Sequence, residues 1–218
     1  MRSAPGAAVT RPGDVVPSAA LRDTFGEIDI YLFDQIARGR FDRRRRVLDA
    51  GCGDGRNLIY FLRHNFDCHA VDRDPSAIAR VRAVAAALAP ATPTSNMQVG
   101  ELDRLPHQDG ALDAVVCSAV LHFADDSHHF NRMVEDMWRV LSRGGVFFAR
   151  LASNIGLEDQ VGPAGRRVSL PDGTDRFVVD ERMLIHFSDR LGGTLIDPIK
   201  TTNVQQQRSM TTWVLLKP

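Results

Sequence analysis

Charge of one sign, paired cysteines and long apolar runs are all missing from this chain, and each absence removes a class of function. Lys+Arg and Asp+Glu are equal at 27 each, so the formal net charge is zero. A nucleic-acid binder carries a basic excess or a basic stripe, so no nucleic-acid partner is expected. The local run Arg43-Arg44-Arg45-Arg46 stands just before an apolar stretch and reads as a solvated loop. Cysteine occurs only at positions 52, 68 and 117. An odd count without metal-ligand spacing argues against a disulfide framework and a metal site alike, so Cys52, Cys68 and Cys117 read as reduced small hydrophobes. No apolar run is long enough to span a bilayer, and the first residues lack the apolar core of a secretory signal. A soluble cytoplasmic protein is expected, monomer or homodimer, with no membrane partner.

What is there suits a single folded domain. In 218 residues, 44% are hydrophobic, enough for a substantial core. Residues Met1 to about Ala20 are rich in Ala, Pro, Gly and Ser without periodicity and read as a flexible tail before a domain over 21–218. From Leu21 to Ala37 a helix is predicted, with Ile28, Tyr31, Leu32 and Ile36 sharing one face.

The stretch that organises the rest is Val47-Leu48-Asp49-Ala50-Gly51-Cys52-Gly53-Asp54-Gly55-Arg56-Asn57. A short apolar run enters three alternate glycines, and a helical pattern from Asn57 to His64 leaves them. Glycine lets the backbone turn sharply and lets a ligand approach it closely. Strand, glycine turn and helix describe the first unit of a nucleotide-binding α/β sheet. A dinucleotide fold wants G-x-G-x-x-G/A, but Arg56 stands where the third small residue would be. A guanidinium there fits close helix packing around a pyrophosphate poorly, which argues against NAD or FAD. Asp72 follows Gly51 by 21 positions, where an acid at the tip of a second strand can accept bonds from ribose hydroxyls.

Further strands are predicted over Asp67–Asp72, Asn96–Glu101, Ala111–Ser118 and Val146–Ala149. Ala111–Ser118, the fourth strand of the chain, is apolar enough to be a central parallel strand buried on both faces. Asp74-Pro75 opens a helix to about Leu88. Asp126 or Ser127 caps an amphipathic one that Gly144-Gly145 stops. Residues 151–180 carry turn signals around a small hairpin, Arg167–Leu170 and Arg176–Val179. That insertion is a natural place for a lid. A helix over Asp180–Leu191 and a closing pair, Thr194–Ile199 with Met210–Leu216, complete the chain.

The glycine loop, Asp72, Glu101-Leu102 before Leu105-Pro106, Ser118 to Phe123, and Val140-Leu141-Ser142-Arg143-Gly144-Gly145 resemble, in order, the motifs of class I S-adenosylmethionine-dependent methyltransferases. The resemblance implies a doubly wound Rossmann-like α/β sheet of seven strands in the order 3-2-1-4-5-7-6, the seventh antiparallel. Pro198, lacking an N–H, then belongs on the sixth strand at an edge. It implies S-adenosyl-L-methionine as cofactor, with Asp49, Gly51, Cys52, Gly53, Arg56 and Asn57 around its methionine part. Asp72 would lie at the ribose, Glu101 and Leu102 at the adenine, and Arg73 and Ser118, at the ends of the second and fourth strands, would also bind the cofactor. Glu101 stands where the family usually has Asp. Gly53-Asp54-Gly55-Arg56-Asn57 with Tyr60 is similar to the small tellurite-resistance-type members of that family.

Methyl transfer to a small-molecule acceptor is then the leading reading, and it rests mainly on proximity and orientation. His122, just past the fourth strand, is a candidate base, or a residue packed on the cleft wall. Arg150 is a candidate for binding an anionic acceptor, or a scaffold partner of Asp125 or Glu158. His128 and His129 are expected to face solvent. Two readings compete: a cofactor-binding domain without catalysis, and a nicotinamide-dependent oxidoreductase.

Overall fold

The computed structural model describes residues 17–218. In chain order the elements are α1 (Ser18–Phe25), α2 (Ile30–Ala37), β1 (Arg46–Ala50), α3 (Ile59–Arg63), β2 (Asp67–Asp72), α4 (Pro75–Leu88), β3 (Met97–Val99) and β4 (Leu112–Ser118). There follow α5 (Ser127–Val140), β5 (Leu141–Ser153), α6 (Glu158–Val161), β6 (Arg166–Ser169), β7 (Asp175–Val178), α7 (Glu181–Arg190), β8 (Thr194–Leu195), β9 (Lys200–Val204) and β10 (Arg208–Leu216). The main sheet runs β3-β2-β1-β4-β5-β10-β8, with β9 also paired to β10; β6 and β7 form a separate hairpin. The first five strands are parallel, and β10 is antiparallel to β5.

The apolar strand sequences explain this order. Successive side chains on a strand point to opposite faces, so adjacent apolar residues build two cores at once. Leu48, Val115, Phe147 and Trp213 pack on one face with Phe130 and Met137 of α5 and Leu184 and Phe187 of α7. Val47, Val116, Phe148 and Val214 pack on the other with Leu32 of α2, Phe61 of α3, and Ile78 and Val81 of α4. Fully burying side chains of this size stabilises by about 1.5–3 kcal/mol each. Helices on both faces of a mostly parallel sheet follow from that two-sided burial.

In its elements the structure departs from the sequence reading mainly as follows. The single helix expected from Leu21 is two, because Gly26 takes φ +62° and Asp29 starts a fresh helix by accepting from the Tyr31 N–H at 2.9 Å. The expected tail up to residue 16 lies outside the described residues, and Ser18–Ala20 already belong to α1. Helix α5 ends at Val140, where Leu141 turns extended and pairs with Leu112; Gly144-Gly145 therefore lie inside β5 rather than at a helix stop. The sheet has eight strands instead of seven, because the expected sixth is split into β8 and β9. Asp197 in the gap turns inward and accepts from Gln35 Nε2 at 3.0 Å and Lys200 Nζ at 2.6 Å. Pro198 thus interrupts the edge strand instead of sitting in it.

Candidate active site

The glycine bend is held by backbone geometry. Gly51, Gly53 and Gly55 all have positive φ, at 79°, 50° and 77°. A Cβ on Gly51 would fall 2.5 Å from Val120, while one on Gly53 would meet nothing within 4 Å. Gly51 is therefore excluded from carrying a side chain by contact, and Gly53 leaves open space for something else. The N–H groups of Gly51 and Cys52 donate to the Val71 carbonyl. That of Gly53 donates to Asp72 Oδ2 at 2.9 Å, and that of Asp74 to Asp72 Oδ1 at 2.9 Å. One carboxylate thus ties the bend to the tip of β2. Helix α3 has five residues and starts two later than expected, so the turn, not a long helix dipole, shapes the bend.

Over this bend lies a cavity of about 410 Å³. Of the expected residues, Gly51, Cys52, Gly53, Arg56 and Asn57 line it from the first loop, Asp72 and Arg73 from β2, Glu101 and Leu102 from beyond β3, and Ser118 from the end of β4. Ala119, Val120, Phe123, His129 and Met133 close the other side. His129, expected in solvent, is thus a wall residue, its Nδ1 3.0 Å from the Asp125 carboxylate; His128 is exposed.

Asp49 is the one expected contact that stands behind the wall. It is buried, and neither carboxylate oxygen has a hydrogen-bond partner. Burial, opposed by Arg56 and reinforced by Asp72, pushes its carboxyl up to about 7. An orphaned buried carboxyl beneath an open glycine cradle suits a ligand bearing an ammonium group. All three cysteines are buried and free, and burial raises the Cys52 thiol far above its ordinary range, which makes it a wall rather than a nucleophile.

A second cavity of about 250 Å³ meets the first at Ala119, a non-glycine residue at φ +63°. Both residues named from sequence for the acceptor side, His122 and Arg150, line this second cavity and not the first. His122 is buried, with Nδ1 unpartnered. Burial, aided by Arg176, Arg150 and Arg167, lowers its pKa to about 4. Arg150 is paired with neither Asp125 nor Glu158. It donates to Asp29 Oδ2 at 3.1 Å and lies 5.1 Å from the centre of the Tyr31 ring.

Asp29 is the residue that sequence reasoning missed. It is buried, and Ser118 Oγ donates to its Oδ2 at 2.9 Å. Its own N–H donates to Asn57 Oδ1 at 3.0 Å. The signal was available as Gly26-Glu27-Ile28-Asp29, a helix breaker followed by a capping acid. Its partners, 28, 89 and 121 positions away, were not readable. Among the described residues no group of three or more His, Cys, Asp or Glu is arranged to hold a metal, and no helix is long and apolar enough to cross a membrane.

Strand order and site together define a Rossmann-like methyltransferase fold. The family model described as "Methyltransferase domain" matches residues 48–149. An uncharacterized methyltransferase of Mycobacterium tuberculosis is 31% identical over 101 residues, 46% of this chain and 37% of that protein. A probable S-adenosylmethionine-dependent methyltransferase of Mycolicibacterium smegmatis is 32% identical over 111 residues, 51% of this chain and 39% of that protein. The chain thus spans well under half the length of the curated relatives it matches. Among solved structures, the 1,6-didemethyltoxoflavin-N1-methyltransferase of Burkholderia thailandensis, with S-adenosylhomocysteine bound, superposes with a TM-score of 0.65 at 16% identity, covering 92% of this chain and 82% of that one. Segment 48–149 is thus similar to methyltransferase domains.

Proposed function

We propose that this protein transfers the methyl group of S-adenosyl-L-methionine to a small-molecule acceptor. The observation that carries the reading is the 410 Å³ cavity over the glycine bend, with Asp72 at one side and the unpartnered Asp49 behind it. Asp72 and Arg73 would hold the ribose, and Glu101 with the Leu102 N–H the adenine. The bend, Arg56 and Asn57 would hold the amino-acid part, with Asp49 beneath it. Once bound, the sulfonium supplies an activated methyl: the acceptor's lone pair forms the new bond to carbon, and the S–CH₃ pair returns to sulfur to leave S-adenosylhomocysteine.

What the chain's own residues supply is placement and dryness. Ala119 lies on both cavity walls, so an acceptor in the second cavity has its way to the methyl there. Holding two reactants aligned at about 3–3.5 Å lowers a barrier by up to about 7–11 kcal/mol. With a pKa of about 4, His122 is uncharged at neutral pH and a weak proton acceptor; the site therefore suits an acceptor that arrives deprotonated. The β6–β7 hairpin serves as a lid, pinned by Ser127 Oγ donating to the Gly165 carbonyl at 2.6 Å and Arg167 Nη1 donating to that of Ala124 at 3.2 Å. The likeness of Gly53–Asn57 and Tyr60 to tellurite-resistance-type enzymes puts metalloid oxyanions among the acceptors to try.

The test is formation of S-adenosylhomocysteine across a panel of carboxylates, thiols, phenols, amines and metalloid oxyanions, with cofactor affinity measured by calorimetry. Turnover with at least one acceptor is expected. Tight cofactor binding with no product from any of them would support a binding domain instead.

A further inference from the structure

The 250 Å³ cavity has walls of two kinds. Ala152, Leu170, Val204 and Met210 are apolar, and Arg150, Arg176 and Arg208 bring three guanidiniums. The three are not equivalent. Arg150 has its charge matched by buried Asp29 at 3.1 Å. Arg176 donates to the Asp175 carbonyl at 2.8 Å and packs 4.8 Å from the centre of the Phe123 ring. Among the described residues, neither Arg176 nor Arg208 has a carboxylate within 4.0 Å. The acid on this wall, Asp172, turns its Oδ1 to the N–H and hydroxyl of Thr174, at 3.0 and 2.6 Å, and feels both arginines from further off.

From these walls we propose that the second cavity is the acceptor site and that it takes a small molecule with an apolar body and a carboxylate, which Arg176 and Arg208 hold. A guanidinium fork matches a carboxylate bidentately, and such charge-assisted bonds are about twice as strong as neutral ones. With Arg150 matched by Asp29 and Asp172 set against one of the other two, a single positive charge remains. That balance suits a monoanion better than a phosphate dianion. A cavity with few polar groups on apolar walls is also the usual form of a small-molecule site. The proposal rests on the reading of the neighbouring cavity as the cofactor site, since only that gives an acceptor here a methyl to receive.

The experiment is calorimetry with benzoate, benzamide and phenyl phosphate, on the full chain with and without saturating S-adenosylhomocysteine. Benzoate is expected to bind the loaded protein at least about tenfold more tightly than benzamide, and more tightly than phenyl phosphate. In R176Q, R208Q and the double variant this preference is expected to shrink to about threefold or less. Arg208 is exposed and both positions lie outside the cofactor wall, so these variants should keep wild-type affinity for S-adenosylhomocysteine; R208K should restore part of the preference. Equal binding of benzoate and benzamide, or binding of neither, by protein that binds S-adenosylhomocysteine overturns the carboxylate site alone. Undiminished preference in the double variant does the same, as does stronger binding of phenyl phosphate. Failure to bind S-adenosylhomocysteine overturns the cofactor reading and this one with it.

Discussion

Asp72 spends both oxygens on backbone N–H groups, those of Gly53 and Asp74, each at 2.9 Å, while its side chain lines the larger cavity. Its remaining lone pairs are what a ribose would use. Asp72→Ala is expected to weaken S-adenosylhomocysteine binding by about 1–3 kcal/mol; an unchanged calorimetric dissociation constant would remove the residue from the site. His122 makes a second prediction at this scale. Its pKa is lowered from 6.5 to about 4, so between those values the unfolded chain binds the proton that the folded one refuses. Its contribution is therefore present above about pH 6.5 and lost as pH falls toward 4. Wild type should lose urea stability relative to His122→Gln across that window, and parallel pH curves would exclude the mechanism. Asp49 has the opposite sign: its carboxyl is raised to about 7, so its ionisation becomes a cost as pH rises through 3.8 to 7. If an ammonium-bearing ligand lies over it, binding near pH 6 should release a proton. Calorimetry in buffers of different ionisation enthalpy reads that directly, and a buffer-independent heat would count against the contact.

Two short elements carry the site. The turn between α1 and α2 exists because Gly26 turns the chain and Asp29 caps the second of these helices. The same Asp29 then receives Ser118 and Arg150, register partners on the adjacent strands β4 and β5. Removing one partner of a buried pair leaves the other charge without compensation, at about 3–5 kcal/mol when both are deeply buried. Arg150 keeps 21% of its side-chain surface, so Asp29→Ala is expected to cost less, about 2–3 kcal/mol in urea unfolding. A loss under about 0.5 kcal/mol, as for an ordinary surface change, would mean that the N-terminal helices are held by apolar packing alone. The glycine turn, the capping acid Asp74, the cap of α5 at Asp126 or Ser127 (Asp126 in the structure) and the β6–β7 hairpin were all legible in the sequence, because each is set by residues within a few positions of one another. The division of the sixth strand was not. It depends on Asp197 finding Gln35, which lies 162 positions away.

At the scale of the whole molecule, one sheet with apolar residues on both faces holds one cavity at the carboxyl ends of β1, β2 and β4, where doubly wound sheets place ligands, and a second beside it against β5, the β6–β7 hairpin and the β9–β10 turn. A ligand that binds only the folded state stabilises it by about 2.7 kcal/mol at a hundredfold excess over its dissociation constant. For a domain of this size that is a rise in Tm of about 5–10 °C, expected with S-adenosylhomocysteine and not with NADH. An equal rise with NADH would reopen the oxidoreductase reading. The sequence by itself determined the strand–turn–helix unit and the places of Gly51, Gly53 and Asp72, which follow from local spacing and strand ends, while the order of the first five strands and Glu101 at the cavity followed from the family resemblance. Only the tertiary structure decided that His122 faces the second cavity with a pKa of about 4, that His129 stands on the first, that Asp29 takes Arg150, and that Arg176 and Arg208 come together across a gap of more than thirty residues. Burial and charge pairing are properties of side chains that meet in space, and segments far apart in the chain meet only once the sheet has formed.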